Sequence, residues 1–283
     1  MPEGSRRTAS FRALAGKSIQ ERLGQMSDPE KNAAAAGGGG GGKPRKDFVH
    51  YLTTSLDTQT GKGYTQADFI MESRLLVAAG SDTSSVALAA AFYYLTHHLD
   101  IQARLHQELH EKFSSVDQII SGPVLSSCHY LRATIDETLR ITPPVPSAMM
   151  REVTHPGLLI DSHSIPAGTQ VGVPIYAIHH NELYFPHAHT FDPSRWLSTT
   201  SRPETLDAAR RAFCPFSIGT RGCIGKTMAY NELSIALGRL CWLYEFRRFE
   251  QDDTPCDGPW GEYATRDVFL SEREGPLVEF RRV

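Results

Sequence analysis

Cysteine is scarce and unpaired in this 283-residue chain. The five thiols, at 128, 214, 223, 241 and 256, form no CxxC pair, and their number is odd. That pattern argues against a disulfide framework or a zinc ribbon and leaves at least one thiol for other chemistry. Neither charge sign dominates. Lys and Arg number 29 against 32 Asp and Glu, a formal net charge of −3, so the electrostatic footprint of a nucleic-acid binder is missing. The opening residues, MPEGSRRTAS, lack both an apolar h-region and a membrane anchor, and the chain as written reads as soluble and cytoplasmic. Its 40% hydrophobic content suffices for a core and excludes disorder along the whole length. At about 150 residues per domain, the length allows roughly two domains or one large one.

Residues 1–46 hold nine Lys/Arg and four Asp/Glu and contain the run AAAAGGGGGG, Ala33 to Gly42. Six consecutive glycines lose too much backbone entropy to order and have no side chains to bury. Residues 1–46 therefore read as a basic, Ala/Gly-rich flexible leader with Gly37–Gly42 as a linker, and 47–283 as the folded portion. Thr65-Gln-Ala-Asp has the form of a capping box opening a long helix. Residues 75–95 contain one formal charge, Asp82, and that length could span a bilayer. The polar block Gly80–Ser85 falls in its middle, where lipid would penalise it, so a helix inside protein with a functional polar break is expected. Ile101, Leu105, Leu109 and Phe113 predict a second helix. Leu125, Cys128, Leu131, Ile135 and Leu139 predict a third, ending before Pro143-Pro144, and Leu233, Leu237 and Leu240 predict a last one. Val171, Val173 and Ile175 alternate after the turn Pro166-Ala167-Gly168 and predict a strand pair. Val268–Leu270 with Leu277–Phe280 predicts a closing hairpin. The fold class is mainly α with small β-sheets set to one side.

The most informative stretch is Phe216-Ser-Ile-Gly219-Thr-Arg221-Gly-Cys223-Ile-Gly225, just before the last helix. A thiolate ligates a soft or borderline metal, and its formation is favoured by a cationic neighbour and a helix N-terminus. Arg221 supplies the first and a helix from about Ile224 the second. Gly219 and Gly225 allow tight turning and close approach to a flat ligand, and Phe216 can shield the sulfur. A free cysteine is ordinarily a small buried hydrophobe, but this spacing arises by chance in fewer than about one in ten thousand such chains.

On these residues the chain resembles the cytochrome P-450 family, in its fungal secondary-metabolism form. Glu137-Thr-Leu-Arg140 is similar to the family's E-x-x-R motif, and Phe191-Asp-Pro-Ser-Arg195-Trp to the segment whose arginine joins that pair. The resemblance implies that Glu137, Arg140 and Arg195 share one site and give structural support to the haem pocket. Ala79-Gly80-Ser81-Asp82-Thr83-Ser84 resembles the oxygen-activation motif. Thr83 would then hold an ordered water and Asp82 relay protons, with the helix ladder opened locally. The resemblance further implies haem b, with Cys223 as axial iron ligand, Arg151 and Arg221 on the propionates, and Phe216, Gly219 and Gly225 around the ring. Val77–Ala79 and Val145–Ala148 would face substrate. The histidine pairs His97-His98, His179-His180 and His187/His189 lack a coherent ligand spacing, and His179 is read as structural.

The function implied is a haem-thiolate monooxygenase that inserts one oxygen atom from O2 into an apolar small molecule of secondary metabolism. Electrons would come from NADPH through a flavoprotein reductase, and the full-length family is expected at the endoplasmic-reticulum membrane. The chain matches only the C-terminal half of that fold, because family members are nearly twice as long. Two alternatives stay open: a truncated, inactive relic, and a haem-binding or interaction protein that needs a partner chain.

Overall fold

Apolar residues repeating every third or fourth position dictate helices here, and a computed structural model shows where they lie. It describes residues 16, 17, 20–24, 46–250, 258 and 260–283; the Gly37–Gly42 linker lies outside the described residues. The chain divides into two units, residues 1–81 and 82–283.

In the first unit, helix α1 (Phe48–Thr54) starts at Asp47, whose Oδ1 accepts from His50 N at 3.1 Å, while Oδ2 takes Arg22 Nε at 2.7 Å. Helix α2 spans Gln66–His97 and begins in the predicted capping box. Asp68 N donates to Thr65 Oγ1 at 3.2 Å, and Thr65 N returns a bond to Asp68 Oδ2 at 3.1 Å. A third bond, from the Thr65 hydroxyl to Asp68 Oδ2, holds the Asp68 carboxyl below its ordinary range.

The second unit is built on the end of α2 together with α3 (Leu99–Lys112), α5 (His129–Ile141) and α8 (Lys226–Leu243). Their stripes meet in one core: Leu105 and Leu109 of α3, Leu131, Ile135 and Leu139 of α5, Leu233 and Leu237 of α8, with Tyr93, Tyr94 and Leu95. Burying each such side chain contributes roughly 1.5–3 kcal/mol. Shorter helices α4 (Pro123–Ser126), α6 (Ile175–His179) and α7 (Pro203–Ala212) lie between the long ones along the chain. Among the described residues the sheets are four antiparallel pairs: β1 (Arg151–Glu152) with β4 (Gln170–Val171), β2 (Leu158–Ile160) with β3 (His163–Ile165), β5 (Tyr244–Arg248) with β8 (Val278–Arg282), and β6 (Arg266–Val268) with β7 (Leu270–Glu272).

Four expectations need correction. The helix foreseen across Leu125–Leu139 is two: α4 ends at Ser126, and the Cys128 amide bonds Leu125 O in a turn before α5 begins. The Val171–Ile175 strand stops at Val171, because Pro174 starts α6 and Tyr176 N bonds Pro146 O at 2.9 Å. The closing hairpin is not Val268–Leu270 with Leu277–Phe280. Residues Arg266–Glu272 fold on themselves, while β8 crosses back to β5 with Phe280 opposite Phe246. Lastly, α2 continues as regular helix through Gly80–Ser85 rather than opening there. Asp82 is exposed, so water rather than the helix backbone can solvate its carboxylate.

Among the described residues α2 is the one helix long and apolar enough to cross a membrane, with 22% of its most apolar window buried. Its last turns, from Val86 to Leu95, belong to the protein core.

Candidate active site

The cysteine loop is held by its own backbone before any partner is considered. Ser217 N closes a turn onto Cys214 O at 2.9 Å, and Ser217 itself stands at φ 58°, a left-handed conformation costing a non-glycine residue roughly 1–2 kcal/mol. Gly219 takes φ 72° without that penalty, and a 3-10 turn spans Gly219–Arg221. Cys223 N then donates to Phe216 O at 2.8 Å, and Gly225 stands at the cap position of α8. Among the described cysteines only Cys223 is exposed; Cys128 and Cys241 are buried and Cys214 is intermediate. A side chain at residue 225 would sit 3.7 Å from the Cys223 sulfur, so glycine leaves the thiol's side open.

Behind the loop lies a charge cluster in which Glu137 and Arg140 are fully buried and Arg195 sits at the rim. Arg140 forks onto Glu137, Nε to Oε2 and Nη2 to Oε1, both at 2.9 Å, and its remaining donors reach the carbonyls of His179, Ala188 and Thr190. Glu137 Oε1 also accepts from Arg195 Nε at 3.0 Å and Asp192 N at 3.0 Å, and Oε2 from Trp196 Nε1 at 3.0 Å. Burial alone would raise the Glu137 carboxyl, but Arg140 and then Arg195 hold it below its ordinary range. All five donors of Arg140 and both oxygens of Glu137 are used, the condition under which buried charges are tolerated. The three charged residues anticipated from sequence are thus brought together, and they fix the Ala188–Trp196 segment against α5.

Sequence reasoning read His179 only as structural, without a partner. Its Nε2 accepts from Cys214 N at 3.0 Å and its Nδ1 faces Arg140 O at 3.1 Å. Because a backbone N–H can only donate, Nδ1 must carry the proton and the ring is neutral. Burial, then the Arg140 guanidinium, pushes its pKa down to about 3. No ligand spacing signals this bond, since the partners stand 35 residues apart.

On α2, Asp82 is exposed and Thr83 half-buried. Their neighbours tie this helix to the rest of the site: Ser84 Oγ donates to Glu232 Oε2 of α8 at 3.4 Å, and Arg273 Nη2 donates to Ser85 Oγ at 2.9 Å. Helix α8 therefore joins the two motifs, with Cys223 just ahead of its start and Glu232 lying about 10 Å along it at 1.5 Å per residue. Arg151 on β1 is exposed and its Nη1 donates to the carbonyls of Met149 and Met150; Arg221 is exposed beside the thiol. Ser147, in the segment expected to face substrate, bonds the Asp267 carboxylate of the β6–β7 hairpin. Val77–Ala79 lie in the first unit, with Val77 and Ala79 exposed. Below the loop a cleft of about 890 Å³ is lined by Arg104, Arg132, Arg210, Lys226, Phe216 and Tyr230, among others.

Comparison with known proteins now decides the family. A family model for cytochrome P-450 matches residues 5–267. The chain belongs to the cytochrome P-450 family. It is 38% identical over 249 residues to a cytochrome P-450 monooxygenase of Gibberella zeae, a match covering 84% of this chain and 56% of that protein. The monooxygenase lcsN of Purpureocillium lilacinum is 38% identical over 238 residues, covering 83% and 71%; apf7 of Gibberella fujikuroi is 35% identical over 293 residues, covering 99% and 53%. Two cytochrome P-450 crystal structures superpose with TM-scores of 0.73 and 0.70 at 22% identity, covering 97% of this chain and 56% and 54% of theirs. The mainly α fold is thus that of the family, and the chain spans about half the length of most of the relatives it matches. The family match includes most of residues 1–46, the stretch read from composition as a leader.

The family is built around a haem whose iron is held by a cysteine thiolate. The residues present fit it. Cys223 offers an exposed sulfur donor flanked by Ile218 and Ile224, 76% and 96% exposed, a costly placement for isoleucine unless an apolar face covers it. Gly219 and Gly225 present no side chain, and Arg221 places a cation at the edge.

Proposed function

We propose that this cytochrome P-450 is a haem-thiolate monooxygenase acting on an apolar small molecule of secondary metabolism. The reading rests on one observation above all: Cys223 is the exposed thiol of a loop fixed by its own backbone, directly ahead of α8. When bound, the haem supplies the oxidising chemistry, activating O2 so that one oxygen atom enters the substrate. Cys223 would hold the iron through its thiolate, Arg151 and Arg221 would pair with the haem carboxylates, and Phe216, Gly219 and Gly225 would line the haem site. Thr83 holds an ordered water, and Asp82 passes protons to it from solvent. Glu137, Arg140 and Arg195 support the pocket from behind. Residues 47–283 form the haem-binding portion.

NADPH, through a flavoprotein reductase, is the electron source, and the cleft below the loop, lined by Arg104, Arg132, Arg210 and Lys226 together with Glu108, Glu111 and Asp136, is where such a partner would approach. The fungal relatives at 33–40% identity are named monooxygenases, which supports the reaction class, and association with the endoplasmic-reticulum membrane follows from the family. The test is the ferrous–CO spectrum of the natural full-length protein. A thiolate-type Soret band, lost in Cys223→Ser at unchanged folding, is the expected result. A wild type that folds but shows no such band would overturn the reading.

A further inference from the structure

Next to Glu137 on α5 stands a second carboxylate with a different partner. Asp136 Oδ1 accepts from Tyr230 Oη of α8 at 2.6 Å, and its Oδ2 accepts from Arg132 Nε at 2.9 Å. The Arg132 guanidinium lies 3.6 Å above the Tyr230 ring. The three groups form a closed triangle: the carboxylate fixes the hydroxyl and the guanidinium, and the guanidinium fixes the ring face. Tyr230 is 8% exposed and the Asp136 side chain 13%, so water competes little for the bond between them, whereas the half-exposed Arg132 closes the triangle from the solvent side. The Tyr230 ring also meets the cysteine loop: its centroid is 5.1 Å from that of Phe216, the residue whose carbonyl accepts the Cys223 amide, with the two rings tilted by 48°. Lys226 Nζ stands 5.9 Å from the Phe216 ring.

We propose that Asp136 and Tyr230 are positioning residues for the cysteine loop, holding Phe216 and through it the Cys223 backbone at the place where the thiolate must meet iron. Backbone bonds shape the loop but leave its side chains to be positioned from outside. Ser217 is held in a left-handed conformation that relaxes unless its neighbours over-determine it, and no buried side chain of the loop's own anchors the stretch from Phe216 to Gly225. The two adjacent carboxylates of α5 divide the work: Glu137 secures the Ala188–Trp196 segment, and Asp136 secures α8 and the loop. What the loop holds rests on the haem-thiolate reading; that the clamp holds the loop does not.

The experiment compares wild type, Tyr230→Phe and Asp136→Asn in the full-length protein, with Tyr94→Phe as control. Tyr94→Phe likewise removes a buried hydroxyl, bonded to Thr142 Oγ1 at 2.8 Å and accepting from Tyr263 N at 3.1 Å, away from the loop. Amide hydrogen exchange over residues 214–226 should quicken on the order of tenfold in Tyr230→Phe, the equivalent of one charge-assisted hydrogen bond, and stay at the wild-type rate in Tyr94→Phe. In the haem-loaded protein the ferrous–CO band should pass from thiolate to thiol form faster in Tyr230→Phe and Asp136→Asn only. Loop exchange unchanged in Tyr230→Phe, or quickened equally by Tyr94→Phe, overturns the proposal. A wild type without a thiolate band overturns the haem reading instead, and the exchange result still decides the clamp.

Discussion

His179 Nε2 accepts a hydrogen bond from the backbone N–H of Cys214 at 3.0 Å, and this bond connects the charge cluster to the first residue of the cysteine loop. Its other nitrogen reaches Arg140 O at 3.1 Å, while the His179 carbonyl accepts from Arg140 Nη1 at 2.9 Å. One buried imidazole thus relays the position of α5 to the loop. The Tyr230 contact acts further along it, so the loop is gripped at Cys214 and again at Phe216.

Replacing His179 by Ala would strand the Cys214 N–H and the Arg140 carbonyl in a site closed to water. Each stranded group costs about 1–3 kcal/mol. A loss of roughly 2–5 kcal/mol is expected in urea unfolding, with the midpoint moving and the slope constant. A loss no larger than a surface substitution gives would mean that water replaces the imidazole.

Acid should destabilise the protein over a window set by two histidines. Burial and Arg140 push His179 down to about 3, and burial pushes His180 to about 4. Both are neutral in the folded protein, whereas the unfolded chain takes up their protons near 6.5. Unfolding therefore binds about two protons near pH 5, and stability is full above 6.5 and falls as pH drops from there towards 4. Each site contributes a slope of about 1.4 kcal/mol per pH unit. His180→Phe, which keeps an aromatic ring against Tyr176, should remove about half of that slope; Glu137 adds a loss of the same sign only at lower pH.

Glu137→Gln should be among the most damaging single changes. The amide retains the shape and two acceptor pairs' worth of oxygen but leaves Arg140 as an uncompensated cation, and Arg140 is fully buried. Breaking a buried pair in this way costs about 3–5 kcal/mol. Thermal unfolding should show it, and Arg195→Lys, at the cluster's rim, should cost less because lysine still carries the charge.

Local patterns carried much of this structure and long-range pairings carried the rest. The capping box at Thr65–Asp68 and the Ile101–Leu109 stripe were readable because their partners lie within one turn. The charge cluster was readable because its three members keep family spacing. Unreadable were the break at Cys128, where the apolar stripe continues although the helix does not, and the pairing of Phe246 with Phe280, which only the packed core selects. Asp136, His179 and Tyr230 were missed as site residues for the same reason: each acts across 35 residues or more, and no short motif records such a distance.

Gln102 shows how far one buried amide can substitute for a strand. Its Nε2 donates to Leu95 O at 2.9 Å and Phe246 O at 3.0 Å, and its Oε1 accepts from Phe246 N at 2.7 Å. The side chain thus pairs with both backbone groups of Phe246 in β5. Gln102→Leu keeps the volume and removes all three bonds, leaving Leu95 O, Phe246 O and Phe246 N unpaired in residues at 0% exposure. A loss of roughly 3 kcal/mol is expected, together with faster amide exchange confined to β5 and β8. Gln102→Glu separates the two contributions, since it can still accept from Phe246 N but meets two carbonyls with a negative oxygen; it should be at least as unstable at pH 7 and recover as the carboxyl protonates. Equal stability of the leucine variant and the wild type would show that apolar packing alone sets the position of β5.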